Sequence, residues 1–250
     1  MVPLPSVFIS HGSPMHALKA GEAGLAWAAL GKRLGKPAAI LIASAHWETN
    51  VPMVTGSARP ETIHDFSGFP EPLYRLRYTA PGAPEVARKA SEALKQAGFT
   101  AAIDGCRGLD HGAWAPLLYM YPDADVPVVQ LSLQPALGRA LRKLEEDNVL
   151  VIGSGHMTHN LRDWMRCAGA PAPYAAEFAE WVRERLEAHD LETLADYRAR
   201  SPHGARAHPT DEHFLPLFVA VGAAKENYKP ERIFKSIDSG VLAMDAYVFN

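Results

Sequence analysis

Imidazoles gather in four short segments of this 250-residue chain, each at or near the end of an apolar run. The segments are Val7-Phe8-Ile9-Ser10-His11-Gly12-Ser13-Pro14, Ile42-Ala43-Ser44-Ala45-His46-Trp47-Glu48, Gly153-Ser154-Gly155-His156-Met157-Thr158-His159-Asn160 and His208-Pro209-Thr210-Asp211-Glu212-His213. Side chains delivered by strand ends and adjoining loops can converge on one cleft, and neutral imidazole is the commonest metal ligand. A histidine-rich metal site is therefore the first chemistry to expect. His11 leaves the run Val-Phe-Ile-Ser and meets Gly12-Ser13-Pro14, which turns the chain sharply just after the ring. Alone, such a histidine is more often a hydrogen-bonded turn residue. His46 repeats the setting after Leu41-Ile42-Ala43-Ser44-Ala45, and the repetition shifts the balance towards a shared site. His16, with no strand before it, is expected on the surface.

His156 and His159 are spaced i, i+3, and His208 and His213 flank Pro-Thr-Asp-Glu, so that both members of the second pair cannot easily face one point. One of each pair is expected to be a structural hydrogen-bonding partner, and that part falls to His156 and His208. His111, in Gly108-Leu109-Asp110-His111-Gly112, can donate to a bound oxygen atom or cap the following helix. Asp110 is the better cap, which favours the functional role for His111. No Gly-x-Ser-x-Gly elbow, P-loop, dinucleotide fingerprint or His-Glu-x-x-His motif occurs. No cysteine accompanies the histidines, which disfavours a finger-type structural zinc. A histidine site with open positions suits a catalytic zinc or a non-haem iron(II).

The elements that must position these groups alternate. Residues 7–10 and 38–45 are short apolar runs with an alanine- and leucine-rich helical stretch, 20–36, between them. Val86, Ala87, Ala90, Ala93 and Leu94 place one apolar face on a helix over 84–97, with Gly98 at its expected stop. Strands are expected at 126–133 and 148–152, the latter feeding the Gly-Ser-Gly turn, with a helix over 136–146. Further helices are expected at 174–189, 191–200 and 213–224, the last entered through acidic residues that suit a helix N-terminus. This alternation predicts an α/β fold: a single three-layer domain over residues 1–250, with a mostly mixed central sheet and helices on both faces. Residues 51–84, rich in proline, glycine and aromatics, predict a long functional loop whose Thr62-Ile63-His64-Asp65-Phe66-Ser67-Gly68-Phe69-Pro70 is a candidate substrate wall.

With 48% hydrophobic residues the chain can bury one sizeable core. A net charge of −3 supplies no basic field, so nucleic acid is not an expected partner. The start Met-Val-Pro-Leu-Pro-Ser lacks a basic and then apolar leader, and the apolar stretches are far shorter than the ~20 residues a bilayer requires. No membrane partner is expected, and the cytoplasm is the expected location. Cys106 and Cys167 lack C-x-x-C spacing and are expected to be ordinary reduced residues.

Taken in order, His11-Gly12-Ser13-Pro14, Ser44-Ala45-His46-Trp47-Glu48, the Thr62 to Pro70 segment with Leu73-Tyr74, Leu109-Asp110-His111-Gly112, Gly153-Ser154-Gly155 with His159-Asn160, and His208-Pro209-Thr210 with Glu212-His213 resemble the 4,5-DOPA dioxygenase branch of the class III extradiol ring-cleaving dioxygenases. The resemblance covers essentially the whole chain. It implies an α/β fold, a mononuclear iron(II), and insertion of O2 into a catechol ring, DOPA or a related small catechol, to give a ring-opened semialdehyde. Zinc(II) can occupy the same site. By this resemblance His11 and His46 match two metal ligands. The third is a glutamate in the wider superfamily; here His213 is chosen, with Glu212 as the alternative. His159 matches the acid/base histidine, and in zinc-loaded relatives this position also comes close enough to be a ligand. His111 would steady the bound or substrate oxygen.

Substrate selection is assigned to the aromatic loop, with Phe66 and Phe69 as walls, Trp47 close to the metal, and Tyr74 given to the core. Two other classes compete: a zinc-dependent hydrolase, since histidine ligands with open positions suit metal-bound water, and a non-catalytic binding protein on the same fold. A binding module needs none of His11, His46, His159 and His213.

Overall fold

The computed structural model describes residues 4–134, 137–167 and 170–250. Among them ten strands follow one another as β1 (Ser6–Ser10), β2 (Ala39–Glu48), β3 (Met53–Thr55), β4 (Ala102–Asp104), β5 (Val128–Leu133), β6 (Val149–Gly155), β7 (Pro230–Phe234), β8 (Ile237–Asp238), β9 (Leu242–Ala243) and β10 (Ala246–Phe249). The α-helices are α1 (Gly21–Leu34), α2 (Glu71–Arg75), α3 (Pro84–Gln96), α4 (His111–Met120), α5 (Gly138–Leu141), α6 (Leu161–Cys167), α7 (Pro173–Glu187), α8 (Leu191–Ala195), α9 (Tyr197–Arg200), α10 (Gly204–Ala207) and α11 (Leu215–Ala223). Eight strands form one mixed sheet in the order β4-β3-β5-β2-β6-β1-β10-β7, and β8 with β9 makes a separate hairpin. The central run β5-β2-β6-β1 is parallel, while β10 and β7 add antiparallel strands at one side.

Because side chains alternate along a strand, each central strand divides its residues between two cores. Val7, Ile9, Ile40, Ile42, Leu150 and Ile152 face one layer with Trp27 and Leu30 of α1 and Trp114 and Leu117 of α4. On the opposite face Leu41, Ala43, Val149 and Val151 meet α3 and α5, and Phe8 meets α7 and α11 through Phe178 and Leu217. The expected three-layer α/β domain is thus present, with helices on both faces.

Several boundaries differ from expectation for local reasons. β2 runs on through Glu48 and β6 through Gly155, so His46 lies within a strand and Gly153-Ser154-Gly155 is strand rather than turn. The expected helix over 136–146 begins at a residue outside the described range; its remainder is one turn of α-helix, α5, followed by a 3-10 helix over Arg142–Asp147. Gly138, Leu141 and Leu144, each three apart, are the buried residues of the two elements, the spacing that a 3-10 helix stacks on one side. The stretch 191–200 breaks at Asp196 into α8 and α9. α11 starts only at Leu215, with Pro216 in its first turn and no acidic residue there, so Glu212 and His213 precede the helix. The loop 51–84 holds only short local structure, β3, α2 and two isolated bridges, Thr62 to Leu109 and Gly82 to Val128, before α3 begins at Pro84, as its composition suggests. Among the described residues no helix is long and apolar enough to cross a membrane.

Candidate metal centre and active-site cavity

Strand parity assembles the centre. His11 follows β1 on the Val7-Ile9 side, Ser44 and His46 stand in β2 on the Ile40-Ile42 side, and Ser154 stands in β6 likewise, so all four meet the N-terminus of α4 at the carboxyl ends of adjacent parallel strands. Asp110 fixes that helix end. Fully buried, it caps α4 through the Ala113 amide, accepts from Ser44 Oγ at 2.6 Å and from Gln130, and pairs with Arg107 at 3.1 Å. Asp110 is therefore the cap expected from sequence, and His111 is left at the first helical position. Gly112 must be glycine for a steric reason: a Cβ there would lie 2.4 Å from Ser44 Oγ and 3.0 Å from His46 Cδ2.

His213 arrives from the other face of the sheet. A Cβ on Gly153 would stand 2.0 Å from the Pro216 carbonyl oxygen, and one on Gly155 would stand 2.2 Å from that of His213. These glycines let the lead into α11 lie directly on β6, where the His156 amide donates to the His213 carbonyl at 2.8 Å.

Ring centroids of His11, His46 and His213 form a near-regular triangle, 5.0 Å for His11 to His46, 5.0 Å for His46 to His213 and 5.6 Å for His11 to His213. His111 lies 4.1 Å from His46, and its ligand atom falls within 4.8 Å of those of His11 and His46. His159 stacks on His213 at 3.5 Å and 13°, and groups with Glu212 and His213 as a second set of possible ligand atoms.

Hydrogen bonds fix which ring nitrogens are free. Ser154 Oγ spends its proton on the Gly112 carbonyl, so His11 Nδ1, 3.1 Å away, must donate to it. His111 Nδ1 donates to Asp65 at 2.9 Å and His213 Nδ1 to Glu212 at 3.0 Å. His46 Nδ1 also faces Asp65, at 3.4 Å. His11, His111 and His213 thus present an unprotonated Nε2, and His46 does so in the tautomer that keeps its proton on Nδ1 towards Asp65. The Nε2 atoms of His11 and His46 stand 3.1 Å apart, the spacing of a hydrogen bond when His46 carries its proton on Nε2 and of two ligand atoms on one cation when neither nitrogen is protonated. Two nitrogens bound to one ion at about 2.1 Å lie roughly 3.0–3.4 Å apart, so the residues fit a metal.

Burial supports the neutral form at His11, His46, His159 and His213. It pushes His11 and His213 well below the usual imidazole range, aided by the surrounding histidines, and lowers His46 to about 3. His159 falls to about 4 through burial, with Glu212 pulling upward and His111 downward. Burial works to raise Asp65, but the hydrogen bonds and charge of His111, with His46 adding to them, prevail and hold it at about 2.

A cavity of about 450 Å³ opens onto this cluster. His11, His46, His111, His156, His159 and His213 line it, as do Phe66 and Phe69. Trp47 does not: one residue past His46 it faces the other side of the sheet, buried beneath the Arg107 guanidinium at 4.5 Å. His16 is not a surface residue either, since its side chain is only 12% exposed, packed under Gly12 with Nδ1 donating to the Ser13 carbonyl at 3.2 Å. Gly12, at φ 73°, permits that close approach.

His208 is buried among Phe178, Tyr197 and Phe214 and donates Nε2–H to the Met157 carbonyl at 2.9 Å, a structural part as expected. His156 hydrogen-bonds the Gly12 backbone, in line with a structural part, yet it also lines the cavity 5.0 Å from His11, and its Nδ1 lacks a hydrogen-bond partner. Asp65 is the group that sequence reasoning quoted but gave no role. Its one available signal was being the single carboxylate of residues 62–70, between His64 and Phe66.

The profile of the catalytic LigB subunit of aromatic ring-opening dioxygenase matches residues 5–249. A 4,5-DOPA dioxygenase extradiol of Beta vulgaris is 43% identical, covering 97% of this chain and 95% of its own, and one of Escherichia coli K12 is 38% identical, covering 96% and 93%. The crystal structure of an uncharacterized protein from Escherichia coli K12 superposes with a TM-score of 0.80 at 33% identity, covering 99% of this chain and all of the other. On a match of this length, the chain belongs to the LigB family of aromatic ring-opening dioxygenases.

Proposed function

We propose that residues 1–250 form one catalytic domain that uses iron(II) to insert O2 into the ring of DOPA or a related small catechol, yielding a ring-opened semialdehyde. The opposed Nε2 atoms of His11 and His46 carry the metal assignment, and His213 completes the triangle of rings. Glu212 stands behind His213 as its acceptor and also accepts from Thr210 Oγ1 at 2.9 Å, which supports the imidazole over the carboxylate as third ligand. Iron(II) would supply the electron transfer that lets ground-state O2 react with an organic ring; zinc fits the same nitrogens but has no such redox chemistry. Both oxygen atoms enter the product, so no external reductant is required.

His159, on the cavity lining and neutral at pH 7, would take a catechol proton and return it as the ring opens. Asp65 holds His111 by two bonds, one to the ring and one to its amide at 2.9 Å, leaving Nε2 to meet a substrate oxygen. Phe66, 5.5 Å from His111, and Phe69 wall the ring side and exclude water. The exposed free thiol of Cys106 is in keeping with a reducing cytoplasmic location.

Apoprotein reconstituted anaerobically with iron(II) is expected to consume one O2 per catechol and form a yellow product, while zinc-loaded protein consumes none. Absence of uptake with every catechol, despite stoichiometric iron, would overturn the proposal. Glu212→Gln is expected to weaken metal binding about 10–100-fold while keeping one ion per chain at saturation. His213→Ala should hold no ion at those concentrations; the reverse ranking in a metal titration would make Glu212 the ligand.

A further inference from the structure

The β8–β9 hairpin brings a carboxylate to the rim of the cavity. Its turn is tight: Val241 N–H donates to the Asp238 carbonyl at 3.2 Å, and Ser239 and Gly240 have φ of 51° and 79°. A non-glycine residue in the left-handed region is held there by its surroundings, and both Asp238 and Ser239 line the cavity.

Asp238 is 37% exposed, and its oxygens are lightly used. Oδ1 accepts from Ser239 Oγ at 3.1 Å, whereas Oδ2 lies 3.6 Å from His16 Nε2, beyond hydrogen-bond reach. The other carboxylate in the lining, Asp65, is committed to His111 and His46. Among the described residues that line the cavity there is no lysine or arginine. Trp164, 47% exposed, stands on the same lining, and an indole face attracts cations. A catechol whose ring sits at the histidines therefore extends its arm towards one available anion and an aromatic face, with no fixed cation to receive a carboxylate.

We propose that Asp238 is a specificity-determining residue that selects catechols carrying an ammonium on the arm over those whose arm ends in a carboxylate. This rests on the ring-cleaving assignment of the same cavity. A half-exposed pair of this kind is worth up to about 1 kcal/mol, roughly fivefold in affinity.

The test is anaerobic calorimetry on the zinc-loaded protein with dopamine, ethylcatechol and dihydrocaffeic acid, which share a catechol ring and its ethyl or ethylene arm but differ in the charge that arm carries, and with DOPA, which carries both charges. Dopamine should bind about fivefold more tightly than ethylcatechol and dihydrocaffeic acid about fivefold more weakly, with DOPA between the extremes. In Asp238→Asn both ratios should fall to about one. A merely structural role would weaken all four ligands alike and leave the ratios standing. Unchanged ratios in the variant, tightest native binding of dihydrocaffeic acid, or no binding of any catechol would overturn the proposal. O2 uptake by the iron form is scored separately: its failure with all four ligands, alongside ratios that respond to the substitution, would remove the dioxygenase assignment and leave Asp238 as a cation-selecting residue.

Discussion

Replacing His46 by alanine will abolish metal binding and turnover together, whereas His159→Ala will keep one ion per chain and lose about 10²–10⁴-fold in kcat. The division follows from position. His46 Nε2 opposes His11 Nε2 at 3.1 Å, so deleting it removes half of the nitrogen pair that a cation would bridge. His159 instead lies flat on His213, outside the His11-His46-His213 triangle, with a burial-lowered pKa that keeps it a neutral proton acceptor. Metal analysis after desalting, beside O2 uptake under saturating iron(II), reads both effects. Equal metal loss in the two variants would place His159 among the ligands and dissolve the division.

Gly155→Ala will destabilise the fold by about 1–3 kcal/mol and lower metal affinity as well. The added methyl meets the His213 carbonyl oxygen at 2.2 Å, and that atom is backbone, which cannot swing aside as a side chain would. Relief requires the lead into α11 to lift from β6. That motion breaks the bond from the His156 amide to the His213 carbonyl and carries the His213 ring out of the triangle. Gly105→Ala, where a Cβ would meet nothing within 4 Å, is the control and should stay within about 0.5 kcal/mol of the native protein. Denaturant midpoints and a metal titration check the pair; native-like values for Gly155→Ala would mean that the strand and the lead are not in forced contact.

Legibility from sequence tracked how local each determinant is. α1 and α3 came within about two residues of their expected ends because apolar spacing and Gly98, at φ 91°, act within one segment. The antiparallel strands β7 and β10 went unforeseen: β7 is only partly buried, and β10 contributes four residues, too few for a period to declare itself. The Gly-Ser-Gly segment was expected to turn because glycine permits turns, yet its glycines serve close approach within a strand, a need set by α11 some sixty residues later. Trp47 was expected beside the metal on adjacency to His46, whereas period two in a strand sends neighbours to opposite faces.

By itself, then, the sequence determined an alternating α/β chain and the histidine segments that end its apolar runs, since strand and helix patterning and turn chemistry are written over a few residues. Tertiary structure decided which imidazoles meet and in which protonation state. The order β2-β6-β1 sets the sixth strand between the first two and so brings His11, His46 and Ser154 side by side. Ser154, Asp65 and Glu212 then fix Nδ1–H on His11, His111 and His213. Those contacts join residues up to 143 positions apart, and their geometry depends on how the layers pack, which no local pattern encodes.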